Sequence, residues 1–188
     1  MSTALFGIFN SIIPMSDKLV ERLNETLCSE TVPKKYFLLK EGQVSNHIYF
    51  IEKGFIRSYY EKDLKEVTSW FMKEYDIIIS VNSFYNRTVS HESIQTLEES
   101  TVYFIHYNEL QRLYKDFIEF NIIGRIFTER YYTLSEERLY SMRKQSAEEK
   151  FYFLLDKHPE IIKRAPLGYI ASYLGISLET LSRIRSRK

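Results

Sequence analysis

One cysteine in 188 residues, Cys28, has no partner for an internal disulfide, so nothing marks the chain for an oxidising compartment and a cytoplasmic location is expected. A lone thiol also cannot supply the four thiolates of an iron–sulfur cluster. Four prolines and six glycines are too few for a collagen-like or low-complexity chain. No apolar run approaches the roughly 18 residues of a membrane span. The opening MSTALFGIFNSIIPMSDK has no basic residue ahead of its apolar stretch, so no signal peptide is expected either. Charge of one sign is missing too, with 26 Lys+Arg against 25 Asp+Glu. What is abundant is apolar and aromatic: 44% hydrophobic residues, 15 Tyr and 13 Phe, enough to fill a sizeable globular core.

The net charge of +1 conceals an asymmetry. From Arg143 to Lys188 there are ten Lys/Arg and five Asp/Glu, a net of +5, whereas residues 1–142 carry sixteen and twenty, a net of −4. A basic end is joined to a mildly acidic body.

Three textures follow one another along the chain. Ser16 suits the N-cap of a short helix carrying Leu19, Val20, Leu23 and Leu27 at helical spacing. Seven β-type runs come next: Lys35–Leu39, His47–Glu52, Gly54–Glu61, Val67–Lys73, Asp76–Val81, Ser93–Leu97 and Thr101–His106. Short strands at regular spacing imply an antiparallel barrel, roll or sandwich. After Tyr107 the pattern turns helical. From Asp116 to about Met142, Phe120, Ile123, Phe127, Tyr131 and Leu134 form one stripe on a helix of about seven turns. A helix that long outruns the cover a small β domain can give, so part of the stripe is expected to pack on a second copy of the chain, as a homodimer. Gly124 beside it is either the site of a close helix approach or a tolerated surface glycine. Ser146-Ala147-Glu148-Glu149 then has the spacing of a capping box, opening a helix that stops before Pro159. The expected organisation is an α+β chain: a β-roll over 1–107, a connecting and dimerisation helix over 108–144, and a helical unit over 145–188.

The stretch Leu167–Ser186, LGYIASYLGISLETLSRIRS, fits a helix-turn-helix. Ala171 is small where the first helix crosses the second, Gly175 suits the turn, and Ile170, Leu174, Ile176, Leu181 and Ile184 take the inward positions. Pro166 suits a first turn, and Ser177 an N-cap. The outward positions near the start of the second helix are Leu178, Glu179, Ser182 and Arg183, where such helices read base edges in double-stranded DNA. Arg183 suits guanine O6 and N7, and Glu179 suits a cytosine N4 amino group. Ser177, Thr180, Arg185, Ser186, Arg187 and Lys188 are the candidates for the phosphate backbone. The plain alternative is a helical hairpin with a basic tail.

The order of β-roll, long helix and C-terminal helix-turn-helix, with Glu179-Thr180-Leu181-Ser182-Arg183, resembles the Crp/Fnr family of bacterial transcription regulators. Glu41-Gly42-Gln43-Val44-Ser45 followed by His47 to Arg57, with its Gly54 hairpin, is similar to that family's early strands. The resemblance implies a homodimer on a palindromic operator, contact with RNA polymerase and a small-molecule effector in the roll. Departures from the family pattern bear on that effector. Cyclic-nucleotide-binding members hold the phosphate with a Gly-Glu pair and an Arg-Ser/Thr pair; here Ser80 and Val81 stand near the glutamate position, and Ser90-His91-Glu92 near the arginine position. Arg87 lies a few residues early and reads as a solvated loop arginine. A cyclic phosphate would face Glu92 without an arginine, so cAMP is not the expected ligand. The family's wing hairpin is not seen by Lys188, which leaves backbone contacts to the Arg/Lys tail.

No enzyme chemistry assembles. His47, His91, His106 and His158 show no metal-ligand spacing, there is no phosphate loop and no nucleophile elbow, and His91-Glu92 reads as two solvated loop residues. No metal or cofactor is expected. The competing readings are a small-molecule-binding β-roll with a protein-interaction tail, and a cupin-like barrel enzyme that lacks the histidine pair.

Overall fold

The computed structural model describes residues 3–186. Two helices, α1 (Thr3–Ile12) and α2 (Asp17–Thr26), precede the first strand. Ser16 caps α2, accepting the Leu19 N–H at 3.3 Å. Eight strands follow among the described residues: β1 (Cys28–Val32), β2 (Phe37–Leu39), β3 (His47–Lys53), β4 (Ile56–Lys62), β5 (Lys65–Met72), β6 (Ile77–Ile78), β7 (Ser93–Thr96) and β8 (Ser100–His106). They form two antiparallel sheets, in orders β1-β8-β3-β6 and β2-β7-β4-β5. Leu39, Ile51, Ile56, Met72, Ile78, Ile94 and Val102 fill the space between the sheets. The expected α+β architecture built on an antiparallel β-roll is therefore present.

Several details differ from the sequence expectation. Strand β1 is absent from it because Cys-Ser-Glu-Thr-Val is polar and mostly exposed; pairing with β8, Cys28 opposite Phe104, makes it a strand. Helix α1 is also unforeseen, and its Leu5 and Phe9 are buried. The run Asp76–Val81 pairs only at Ile77 and Ile78, and the chain then turns at Ser80 into α3 (Val81–Asn86).

Two glycines are explained by close approach. Gly54 has φ +122°, and a Cβ there would meet Ser100, backbone included, at 2.2–2.7 Å. Gly124 faces Tyr114, whose ring and hydroxyl lie where a Cβ would come within 2.5–2.9 Å, so of the two readings the close approach is correct.

The segment 108–144 is not one helix. Helix α4 (Tyr107–Asp116) ends at Phe117, whose extended backbone (φ −129°, ψ 109°) separates it from α5 (Ile118–Lys144). The apolar stripe on α5 requires a correction. Phe120, Ile123 and Phe127 are buried inside their own chain, with Phe9 making edge-to-face contacts to Phe120 and Phe127 at about 6 Å. Tyr131 is partly buried, accepting the Ile77 N–H at 2.6 Å, and Leu134 is likewise only partly exposed. Helix α1 supplies cover that the sequence reading did not count. The side of α5 left bare is the opposite one, with Ile118, Ile126, Tyr132, Leu139 and Tyr140 exposed.

Four helices complete the chain: α6 (Ala147–Lys157), α7 (Pro159–Arg164), α8 (Leu167–Leu174) and α9 (Leu178–Ser186). The capping box forms, with the Ser146 hydroxyl accepting from Glu149 N–H and the Glu149 carboxylate accepting from Ser146 N–H. These helices share one hydrophobic core with the roll. Phe55, Phe71 and Leu97 on the outer face of the second sheet pack with Phe151, Leu154, Ile161, Ile170, Leu174 and Leu181.

Candidate functional site

The C-terminal pair α8 and α9 is joined by Gly175, whose φ of +67° lets the Ile176 N–H reach back to the Ala171 carbonyl at 3.0 Å. Ile170, Ala171, Leu174, Leu181 and Ile184 are buried and Ile176 partly so, leaving the opposite side of α9 free. Ser177 caps α9, its hydroxyl accepting the Thr180 N–H at 3.1 Å and pairing with the Thr180 hydroxyl at 3.2 Å.

Leu178, Glu179, Ser182, Arg183, Arg185 and Ser186 are all exposed on α9. The Glu179 backbone N–H, and after it the Ser177 hydroxyl, hold the Glu179 carboxyl below its ordinary range, so it presents an ionised acceptor. Arg183 and Arg185 make no ion pair among the described residues, so their guanidinium groups remain available to an external anion or base edge. Arg187 and Lys188 lie outside the described residues.

This face is held against the roll and α5 by polar clamps that sequence reasoning missed, because they join residues 35 to 104 positions apart. The Thr68 N–H of β5 donates to Ser172 Oγ at 3.2 Å. Arg138 stacks on Tyr173 at 3.7 Å and donates to its carbonyl at 3.0 Å. Arg164 bonds both oxygens of Glu74 at 2.8 and 2.9 Å and reaches Glu98 at 2.6 Å. The Arg164 fork holds the Glu74 carboxyl down at about 2. Arg57, fully buried, donates to Glu66 at 2.5 Å and Gln95 at 3.1 Å, and its guanidinium lies between the rings of Tyr59 and Tyr169.

In the roll, a cleft of about 430 Å³ is lined by Glu41, Tyr60, Glu61, Ser80, Asn82, Ser83, His91 and Glu92. Ser80, His91 and Glu92 are thus brought together, while Val81 is exposed and does not line the cleft. Glu92 is not the solvated loop residue expected from sequence. Burial pushes its carboxyl above the ordinary range, against hydrogen bonds with Ser58 and Ser80. Arg87 is not a free loop arginine either. It donates to the Ser45 and Phe84 carbonyls at 2.8 and 3.1 Å and to Asn46 Oδ1 at 2.5 Å, and stacks on Tyr107 at 4.2 Å. It ties α3 to the β2–β3 loop and does not line the cleft. Three carboxyl groups and no Lys or Arg surround this space, the reverse of what a phosphate needs.

The histidines are less scattered than their spacing suggests. His47 and His106 face each other across β3 and β8 with ring centres 5.3 Å apart, and burial, then His106, lowers the His47 pKa. Among the described residues no three His, Cys, Asp or Glu side chains are grouped to hold a metal. No described helix is long and apolar enough to cross a membrane.

Residues 29–117 match the family model of the cyclic nucleotide-binding domain. Comparison with curated proteins finds no match. Solved structures are similar in fold at low identity. FixK2 from Bradyrhizobium japonicum has 19% identity and a TM-score of 0.72, with 86% of this chain and 83% of that one covered. A protein from Eubacterium rectale assigned to the crp/fnr family of transcriptional regulators has 15% identity and a TM-score of 0.72, with 96% and 85% covered. A variant of CooA from Carboxydothermus hydrogenoformans has 18% identity and a TM-score of 0.70, with 100% and 84% covered. Residues 29–117 thus match the cyclic nucleotide-binding domain, and the chain as a whole shares its fold with solved structures that include FixK2 and a regulator assigned to the crp/fnr family.

Proposed function

We propose that the protein is a DNA-binding transcription regulator of the Crp/Fnr type that binds a palindromic operator as a homodimer and does not respond to cAMP. One observation carries this reading: α9 is capped by Ser177, anchored by Leu181 and Ile184, and turns Leu178, Glu179, Ser182 and Arg183 outward together. In the major groove Arg183 donates a fork to guanine O6 and N7, and Glu179 accepts from cytosine N4. Ser182 supports Arg183 or bonds a base edge. Ser177, Thr180, Arg185, Ser186 and the terminal Arg187 and Lys188 serve the phosphates.

The dimer forms through the bare side of α5, where Ile118, Ile126, Tyr132, Leu139 and Tyr140 give an apolar surface that a soluble chain covers. Two α9 helices about 34 Å apart then enter successive major grooves. The resemblance to Crp/Fnr regulators supports RNA polymerase as a further partner. The cleft around Glu92 argues against a cyclic phosphate, since a buried carboxyl stands where a cation is needed. A roll whose tail contacts protein instead of DNA is the competing reading, and selection of bound sequences from random DNA separates the two.

A further inference from the structure

The acidic cleft is not the only space bordered by the roll. A cavity of about 330 Å³ lies between α1, α5 and the roll and shares no lining residue with that cleft. Its walls include Phe9 of α1, Phe50 and Phe104 of the first sheet, Trp70 of β5, and Phe120 and Phe127 of α5. No charged side chain and no histidine lines it. On α5 the lining runs from Phe120 to Ser135, about 22 Å of helix at 1.5 Å per residue.

Three physical arguments limit what can fill it. Water is a poor occupant, since a buried water needs two to four polar partners. The chain itself already engages four wall hydroxyls: Tyr49 donates to the Leu38 carbonyl, Thr128 to Gly124 and Ser135 to Tyr131, and Tyr131 accepts the Ile77 N–H. A helix from a second copy can reach only the mouth, at the exposed Thr128, Tyr132 and Ser135, because the inner wall of Phe50, Met72 and Ile78 is buried within its own chain. An anion or a cation would enter a wall without a counter-charge. A small apolar molecule remains, and the volume lies at the lower end of the range for such sites.

We infer that this cavity is the sensor site of the protein and binds an uncharged, elongated hydrophobic ligand bearing at most one hydroxyl or carbonyl. The inference rests on the proposed regulator reading in one respect, that occupancy is transmitted to DNA. The cavity wall and the proposed dimer face adjoin along α5 and share Tyr132, so a ligand that shifts α5 alters the separation of the two α9 helices.

The test uses the full chain and the neutral probe N-phenyl-1-naphthylamine, read by its fluorescence without DNA. One saturable site per chain is expected, with displacement by 1-decanol and at least tenfold weaker displacement by decanoate. Thr128→Trp and Ser135→Trp, both at exposed wall positions on α5, are each expected to weaken probe binding at least tenfold while leaving the thermal midpoint near that of the parent. Non-saturable binding, or equal affinity in a folded variant of either kind, overturns the site. Probe binding that 1-decanol displaces with no change in operator affinity overturns its role as sensor. Complete loss of DNA binding alongside intact probe binding counts against the regulator reading and not against the cavity.

Discussion

The guanidinium carbon of Arg57 on β4 lies 3.5 Å from the ring centre of Tyr169 on α8, with Tyr59 on its other face at 4.0 Å. Its Nε and Nη1 have no hydrogen-bond partner, so the two rings are what face this buried charge where polar partners are missing. The contact joins the roll to α8, the first helix of the C-terminal pair. Tyr169→Leu is expected to destabilise the protein by about 2–3 kcal/mol, because it uncovers one face of a desolvated cation. Tyr169→Phe keeps the ring and should stay within about 0.5 kcal/mol. In Arg57→Met the charge is gone, so the added cost of Tyr169→Leu should shrink; denaturant unfolding of the four proteins measures the coupling.

Gly54→Ala should be among the most damaging single-methyl substitutions in the roll. The new methyl meets Ser100 backbone as well as side chain, in a residue at φ +122°. A loss of about 3 kcal/mol is expected from strain and overpacking combined. Gly42→Ala shares the positive φ but has open space around it, so its midpoint in thermal unfolding should fall less.

Leu64 offers the opposite sign. With Asp63 it forms the two-residue turn between β4 and β5 at positive φ, 52° and 59°, and it is 92% exposed. That geometry favours Asp-Gly. Leu64→Gly should stabilise the protein by about 0.5–1 kcal/mol, read from the urea midpoint at unchanged slope.

Acid should loosen the contact between the roll and the C-terminal helices. Glu74 is held at about 2 by the Arg164 fork, below its ordinary carboxyl value of 4.5. A carboxyl depressed in the folded state contributes stability above the unfolded pKa, and that contribution is lost as pH falls from about 4.5 through about 2. Arg164→Met should therefore flatten the stability profile over that window; an unchanged slope would show that the pair contributes nothing.

Much of the fold was legible because it rests on local signals. Ser16, Ser146 and Ser177 cap helices as their spacing implies, and Gly175 turns where the motif needs it. The α5 stripe was legible as a stripe but not as to its partner: Phe120 and Phe127 meet Phe9, more than 100 residues away, and no periodicity reports which surface covers an apolar face. Long separation in sequence also hid Arg57 with Tyr169 and Arg164 with Glu74. Arg87 looked like a loop residue because its acceptors, Ser45 and Asn46, lie on another loop. The outward set on α9 could be read from sequence since helical spacing alone decides which side Leu181 and Ile184 bury.

The central claim is that α9 reads DNA, and selection of bound sequences from a random duplex pool at moderate salt, with the parent and Arg183→Ala, tests it most directly. The account predicts enrichment of an inverted repeat with half-sites about one helical turn apart. It also predicts loss of preference at one base pair per half-site in Arg183→Ala, worth about 1–3 kcal/mol, with Arg185→Ala weakening all sequences evenly. No enrichment by the folded parent protein, or enrichment that Arg183→Ala leaves unchanged at every position, would contradict it.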